Sequence, residues 1–343
     1  MRLLLLGANG FIGNHLTKSV MTETDWQIDA IDIASDRLGA YLQHPRFHFQ
    51  LGDITRETDW VDEKIAACDV ILPLVAIATP ALYVQDPLRV FELDFEANLR
   101  IIRLAVKHHK RIIFPSTSEV YGMCPDMVFD EEESVLVTGP IHKERWIYST
   151  SKQLLDRLIY AYGKHHGLPY TLFRPFNWYG PYLDNPLNPK PGSSRVLTQF
   201  IGNILRGEDI QLVNGGAQMR AFTYIDDGIA ALMRIIENKD NCAHNRIFNI
   251  GNPAADFSIR ELAEMIQRLI ITDYPQYQAN ASAAKLQLVE ATQYFGEGYQ
   301  DVSKRVPAIF RAQRDLNWSP KVDMVTGLKK TLDFYLAPTE SCV

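Results

Sequence analysis

Tyr148 and Lys152 stand four residues apart in Tyr148-Ser149-Thr150-Ser151-Lys152, so a helix would carry a phenol and an amine on one face. A tyrosine ionises near pH ~10 and is a poor base at neutral pH. A neighbouring ammonium favours the phenolate, giving a group able to take a proton from a hydroxyl. Alone, the spacing is common by chance, and an exposed helical pair is its ordinary explanation. A second set of candidates is Ser116-Thr117-Ser118-Glu119, directly after an apolar run at 111–115. Hydroxyls at the end of a strand there could hold a reacting hydroxyl near the phenol. Glu119 is the unusual member, because a carboxylate in a closed site must be paired or have a shifted pKa. A solvent-facing glutamate on a turn is the alternative.

These groups need a second reactant, and the N-terminus supplies a place for one. Gly7-Ala8-Asn9-Gly10-Phe11-Ile12-Gly13 follows the apolar run Leu3-Leu4-Leu5-Leu6. A strand that turns tightly into a helix leaves free backbone N–H groups facing outward, which is a pyrophosphate cradle. A second apolar segment ends in Asp32, about twenty residues after the glycines, where a dinucleotide site needs a carboxylate for the adenosine ribose. Asp32 would repel a 2′-phosphate, which favours NAD over NADP. The positive nicotinamide ring would then join Lys152 in favouring the Tyr148 phenolate, and the Tyr/Lys spacing gains meaning.

The 343 residues suffice for one large or two modest domains. With 46% hydrophobic and 22% charged residues, the composition is that of an ordinary soluble globular protein. A net charge of -6 without an extended basic block argues against nucleic acid as the main partner. The N-terminal leucines are too few to span a membrane, and no signal-peptide pattern remains once the cradle is read. Cys68, Cys124, Cys242 and Cys342 are scattered without metal-ligand spacing, as expected of reduced thiols in a cytoplasmic protein with no metal.

Stepping outward along the chain, apolar runs at 2–6, 27–31, 47–51, 70–74, 111–115 and 170–174 alternate with helical patterns, clearest at 91–107 and 148–165. This βαβ rhythm predicts an α/β fold, a Rossmann-type doubly wound parallel sheet with ligands beyond the carboxyl ends of its strands. After residue 178 the rhythm breaks. A loop rich in Asn and Pro is expected at 184–194, then helices at 196–205, 227–237, 259–269 and 324–335, with short strands at 210–213 and 246–250. The expected organisation is an NAD-binding domain over 1–178 and a smaller mixed α/β C-terminal substrate lobe over 179–343, with segments free to interleave. The helices at 91–107 and 148–165 are expected to pair with their copies in a homodimer, although both could be buried within one subunit.

The cradle, Asp32, Ser116-Thr117-Ser118-Glu119, Tyr148/Lys152 and Arg174-Pro175-Phe176-Asn177-Trp178-Tyr179-Gly180-Pro181 together resemble an extended short-chain dehydrogenase/reductase acting on nucleotide sugars. Pro73-Leu74-Val75-Ala76-Ile77-Ala78-Thr79-Pro80, Arg145-Trp146-Ile147-Tyr148-Ser149 and Gly298-Tyr299-Gln300-Asp301-Val302 narrow this. They are similar to the UDP-glucuronate decarboxylase half of the bifunctional polymyxin-resistance enzymes, over nearly the whole chain. With Met1 directly before the first strand, the resemblance implies a stand-alone decarboxylase. It implies that NAD is held by Gly7, Asn9, Gly10, Phe11, Ile12, Gly13, Asp32, Asp53 and Ile54, together with Tyr148 and Lys152. It implies a UDP-glucuronate site lined by Ala78, Tyr83, Thr117, Ser118, Arg145, Asn177 and Tyr299. The stretch from Gln211 to Arg220 would wrap the uridine diphosphate, with Arg220 on phosphate. Glu119 and Arg305 would serve the decarboxylation, Arg305 as carboxylate anchor or as proton donor to carbon 5. A surface arginine and a helix-start charge are the ordinary readings of Arg220 and Arg305.

The implied reaction oxidises carbon 4 of UDP-glucuronate, loses carbon dioxide from the β-keto acid and yields UDP-4-keto-pentose. A UDP-xylose synthase that keeps NADH and reduces the ketone would use the same motifs. A UDP-apiose/xylose synthase is disfavoured, since that family favours cysteine where Ser118 stands. A 4-epimerase would leave Glu119 and Arg305 without a task. A redox-sensing protein that binds NAD without turnover would have no need of the Tyr148/Lys152 pair.

Overall fold

The computed structural model describes residues 1–188 and 195–336. Part of the expected loop at 184–194, and Cys342, lie outside the described residues. Seven parallel strands form one sheet in the order Arg246–Ile250, Tyr170–Pro175, Arg111–Pro115, Val70–Pro73, Arg2–Leu6, Gln27–Asp32, Phe47–Leu51. The leucine run explains its own position. Leu3 and Leu5 join the apolar cluster on one face, Leu4 and Leu6 the cluster on the other, and all four are fully buried. A strand buried on both faces is apolar at every position rather than at alternate ones.

Strand Arg2–Leu6 has Gln27–Asp32 on one side and Val70–Pro73 on the other. The strand order therefore reverses at the glycine cradle, opening the crevice where ligands of such sheets bind. The sheet is as expected for a Rossmann-type α/β fold. Its seventh strand, Arg246–Ile250, pairs with Tyr170–Pro175 although it comes from the segment after 178. Burial of Phe248 and Ile250 draws it there. Helix Ile225–Glu237 packs against helix Phe11–Glu23, so the chain returns to the first half before leaving again.

The helix expected at 91–107 is not uniform. Helix Pro87–Phe91 runs into a π-helical turn, Glu92–Ala97, and then helix Asn98–Lys107. The π turn adds a residue to the helical period and buries Asp94. The helix bearing Tyr148 spans Trp146–His166 and stops at Gly167, whose φ of 68° is left-handed. After residue 178 the chain also forms a three-stranded sheet in which Met219–Ala221 lies between Asp256–Ser258 and Lys304–Arg305. Here Arg220 and Arg305 are register partners on adjacent parallel strands. Among the described residues, no helix is long and apolar enough to cross a membrane.

Candidate active site

The cradle is built backbone to backbone. Gly7, at φ 95°, donates its N–H to Ile31 O at 2.8 Å. Gly10 caps helix Phe11–Glu23, and no side chain caps that terminus, so the first N–H groups are open to an anion. A Cβ at Gly13 would run into Gly7 O and lie 2.7 Å from Ala8 O, so only glycine allows this approach. Asp32 Oδ2 accepts from Asn9 N at 2.9 Å, and Oδ1 accepts from Ala34 N at 3.3 Å. Each oxygen keeps a second lone pair for a ribose hydroxyl. Burial raises the Asp32 pKa against the pull of those amides. The residues fit a dinucleotide whose adenosine ribose is unphosphorylated.

Asp53 and Ile54 follow strand Phe47–Leu51. The Asp53 carboxylate accepts from Thr55 N and Thr55 Oγ1 at 2.8 and 2.7 Å, which holds its pKa down. The Ile54 side chain is buried in the core, leaving only its backbone for a ligand.

Beyond the cradle lies a cavity of about 340 Å³. Of the residues singled out in the sequence, Phe11, Ile12, Ala78, Tyr83, Thr117, Ser118, Glu119, Tyr148, Asn177, Gln211, Arg220, Tyr299 and Arg305 line it. Arg145 and Lys152 stand behind its wall, and Gly7, Asn9, Gly10, Gly13, Asp32, Asp53 and Ile54 are not part of the lining. Asn177 reaches its place with φ 41°, and its Nδ2 donates to Ala221 O at 3.0 Å. That bond ties the end of the main sheet to the strand carrying Arg220.

Tyr148 is buried and stacks on Tyr83, with ring centroids 4.6 Å apart and planes 6° apart. Lys152, one turn on, donates to Pro115 O at 3.2 Å and lies 3.9 Å from Asp94 Oδ1. The protein by itself does not ease Tyr148 towards phenolate. Burial pushes its pKa well up, Asp94 and Glu119 add to this, and a hydrogen bond with Thr117 opposes them. The field of Lys152 is offset by Asp94, so ionisation calls for further positive charge, such as an oxidised nicotinamide carries.

Glu119 sits on the short turn Ser118–Tyr121, whose start is capped by Thr117 Oγ1 accepting from Glu119 N at 3.2 Å. Its Oε2 accepts from Arg145 Nη2 at 2.5 Å, and its Oε1 pairs with Arg305 Nη1. Burial opposes its ionisation, but the guanidinium groups of Arg145, Arg305 and Arg220 outweigh burial and hold its pKa down at about 2. Arg220 Nη2 donates to Asp301 Oδ1 at 2.8 Å; burial and the charge of Arg305 lower its pKa to about 10. Arg145 Nε and Nη1 and Arg305 Nε are buried without a hydrogen-bond partner among the described residues.

Sequence reasoning missed two carboxylates. Asp301, within Gly298-Tyr299-Gln300-Asp301-Val302, is the partner of Arg220. Asp94 sits in a segment that reads as a plain amphipathic helix, where a carboxylate looks solvent-facing. The run Phe91-Glu92-Leu93-Asp94-Phe95, with acids alternating among apolar residues, does not fit one helical face and was the available signal.

The NAD dependent epimerase/dehydratase family matches residues 3–251. The PbgP3 protein from Burkholderia pseudomallei is 53% identical, with a TM-score of 0.88 over 98% of this chain and 96% of that one. A UDP-glucuronic acid 4-epimerase from Bacillus cereus, solved with UDP-glucuronic acid and NAD, shares the fold at 22% identity and a TM-score of 0.79, covering 98% of this chain and 99% of that one. The dTDP-glucose 4,6-dehydratase DesIV from Streptomyces venezuelae, with NAD and TYD bound, shares it at 22% and 0.81, covering 98% and 97%. A cradle that tolerates no side chain at Gly13, a carboxylate at Asp32 beside it and this family match over most of the chain lead to one conclusion: the chain belongs to the NAD dependent epimerase/dehydratase family, and NAD is its cofactor.

Proposed function

We propose that this enzyme oxidises UDP-glucuronate at carbon 4 and decarboxylates it to UDP-4-keto-pentose. The observation that carries this reading is the setting of Glu119, clamped by Arg145 and Arg305 in the wall that also holds Thr117 and Tyr148. Three buried guanidinium groups face two carboxylates, Glu119 and Asp301. One positive charge is left over, and three guanidinium nitrogens of Arg145 and Arg305 lack hydrogen-bond partners among the described residues. A buried excess of that kind suits an anionic ligand. The fold accommodates such a pair of ligands, since the Bacillus cereus enzyme of the same fold holds UDP-glucuronic acid with NAD.

NAD would be held by the amides after Gly10 and by Asp32, and when bound it supplies the hydride acceptor. Tyr148 takes the proton from the carbon 4 hydroxyl, while Thr117 and Ser118 hydrogen-bond that oxygen. The resulting ketone lies β to the carboxylate. Cleavage of the carbon–carboxylate bond releases carbon dioxide and leaves its electron pair as an enolate, which the protonated Tyr148 can hydrogen-bond. Glu119 is a fixed anion at neutral pH, because its pKa lies near 2. It therefore cannot donate the proton that carbon 5 needs, which comes from water as the enolate returns to the ketone and is balanced by the proton that Tyr148 took from the carbon 4 hydroxyl. Its charge beside the substrate carboxylate disfavours that carboxylate relative to neutral carbon dioxide. Arg305 anchors Glu119 and reaches the same space. Arg220 meets the diphosphate as a charge-assisted donor.

The charge argument has a direct test, NADH formation with UDP-glucuronate against UDP-glucose. Turnover with the carboxylated sugar should exceed that with the neutral one by at least about a hundredfold, the scale of a lost charged contact in a buried site. Equal turnover would overturn the reading.

A further inference from the structure

We propose that Asp94 is a positioning residue for the oxidation step, the buried counter-charge that keeps Lys152 an ammonium beside Tyr148. This rests on the oxidation half of the proposed reaction and not on the decarboxylation. Asp94 is fully enclosed, on the π turn Glu92–Ala97. Its Oδ2 accepts from Ile77 N at 2.9 Å, while Oδ1 has no hydrogen-bond partner among the described residues and lies 3.9 Å from Lys152 Nζ. Lys152 is 1% exposed, and its ammonium also meets Pro115 O at 3.2 Å and the Phe114 ring at 4.8 Å. A lysine so placed sheds its proton unless an anion balances it.

The turn is held for this purpose. Asn98 Nδ2 donates to Leu93 O and Asp94 O, each at 3.2 Å, closing the irregular backbone that a straight α-helix would not contain. The other charges facing this region are already engaged. Asp156, on the same helix as Lys152, accepts from Ser116 Oγ at 2.8 Å and Arg174 Nη2 at 3.2 Å. Glu119, on the neighbouring turn, is paired with Arg145 and Arg305. Tyr83, from helix Pro80–Gln85, stacks on Tyr148 and carries no charge. Burial lowers the Lys152 pKa, and Asp94 is the leading influence that raises it. Removing the Asp94 charge therefore moves the loss of the ammonium to lower pH.

The test is the pH dependence of single-turnover NADH formation in Asp94→Asn against wild type. The alkaline limb should move down by about one pH unit or more, and at pH values between the two limbs the rate should fall about tenfold with substrate KM nearly unchanged. A limb that stays in place, whatever the rate, overturns the proposal, since a merely structural loss would leave it unmoved. If Asp94→Asn does not fold, ¹⁵N-lysine spectra of the wild type decide. The Lys152 signal, assigned by its absence in Lys152→Met, should be that of an ammonium at pH 8, and a neutral amine there overturns the proposal. Wild type inert towards UDP-glucuronate would refute the substrate reading and leave the lysine spectrum to decide this one.

Discussion

Arg145 Nη2 lies 2.5 Å from Glu119 Oε2, although Arg145 precedes the long helix and Glu119 sits on the turn after strand Arg111–Pro115. The pair joins the element that presents Tyr148 to the element that presents Thr117 and Ser118. Arg305 closes the other side of the carboxylate from strand Lys304–Arg305. One glutamate thus links three parts of the fold at the cavity wall.

Replacing Glu119 by Gln removes the anion and keeps the shape. Turnover of UDP-glucuronate should drop by at least about a hundredfold, with NAD affinity, read by fluorescence titration, within about twofold of wild type. Near-normal turnover would remove Glu119 from the chemistry.

Glu119 also sets an acid dependence of stability. Its pKa falls from 4.5 to about 2 on folding, so the stabilisation is present above the unfolded value and is lost as pH drops from 4.5 towards 2. Acid unfolding of Glu119→Gln should be less steep than wild type across that window. Superimposable curves would contradict the ion-pair account.

At Gly13 the obstacle is backbone, which cannot swing aside: Gly7 O, and Ala8 O at 2.7 Å from a modest methyl. Gly13→Ala should cost about 1–3 kcal/mol of stability and weaken NAD at least about tenfold by displacing the cradle. Calorimetric binding and thermal unfolding check both, and unchanged NAD affinity would refute the close-approach argument.

We infer a homodimer through the paired helices. Helix Trp146–His166 exposes Leu154 and Tyr160, at 44% and 53%, and the adjoining Pro87–Phe91 exposes Leu88 at 72%. Apolar surface of that kind is a candidate interface. Sedimentation should give a dimer for wild type and a shift to monomer for Leu154→Asp. A monomeric wild type would refute the inference.

The parts legible in the sequence share a cause. Buried strands are apolar throughout, so the leucine run and the runs at 70–73 and 111–115 announced themselves, and Gly13 and Asp32 followed from what a dinucleotide requires. Asp94 was hard to place because its burial depends on a π turn; the broken helical period at 91–95 marks an irregularity without saying which acid turns inward. The alignment of Arg220 with Arg305 depends on pairing between strands some eighty residues apart, which local pattern does not encode. Arg246–Ile250 was legible as a strand, while its place at the sheet edge was decided by tertiary burial.

The central claim is that oxidation and loss of the carboxylate are coupled in this cavity. UDP-glucuronate labelled with ¹³C in its carboxyl group, incubated with NAD and the enzyme, tests it most directly. The expected result is labelled carbon dioxide and free NADH in equal amounts, with UDP-4-keto-pentose as product. A carbon 4 epimer that retains the label, or labelled carbon dioxide with UDP-xylose and no net NADH, would contradict the account.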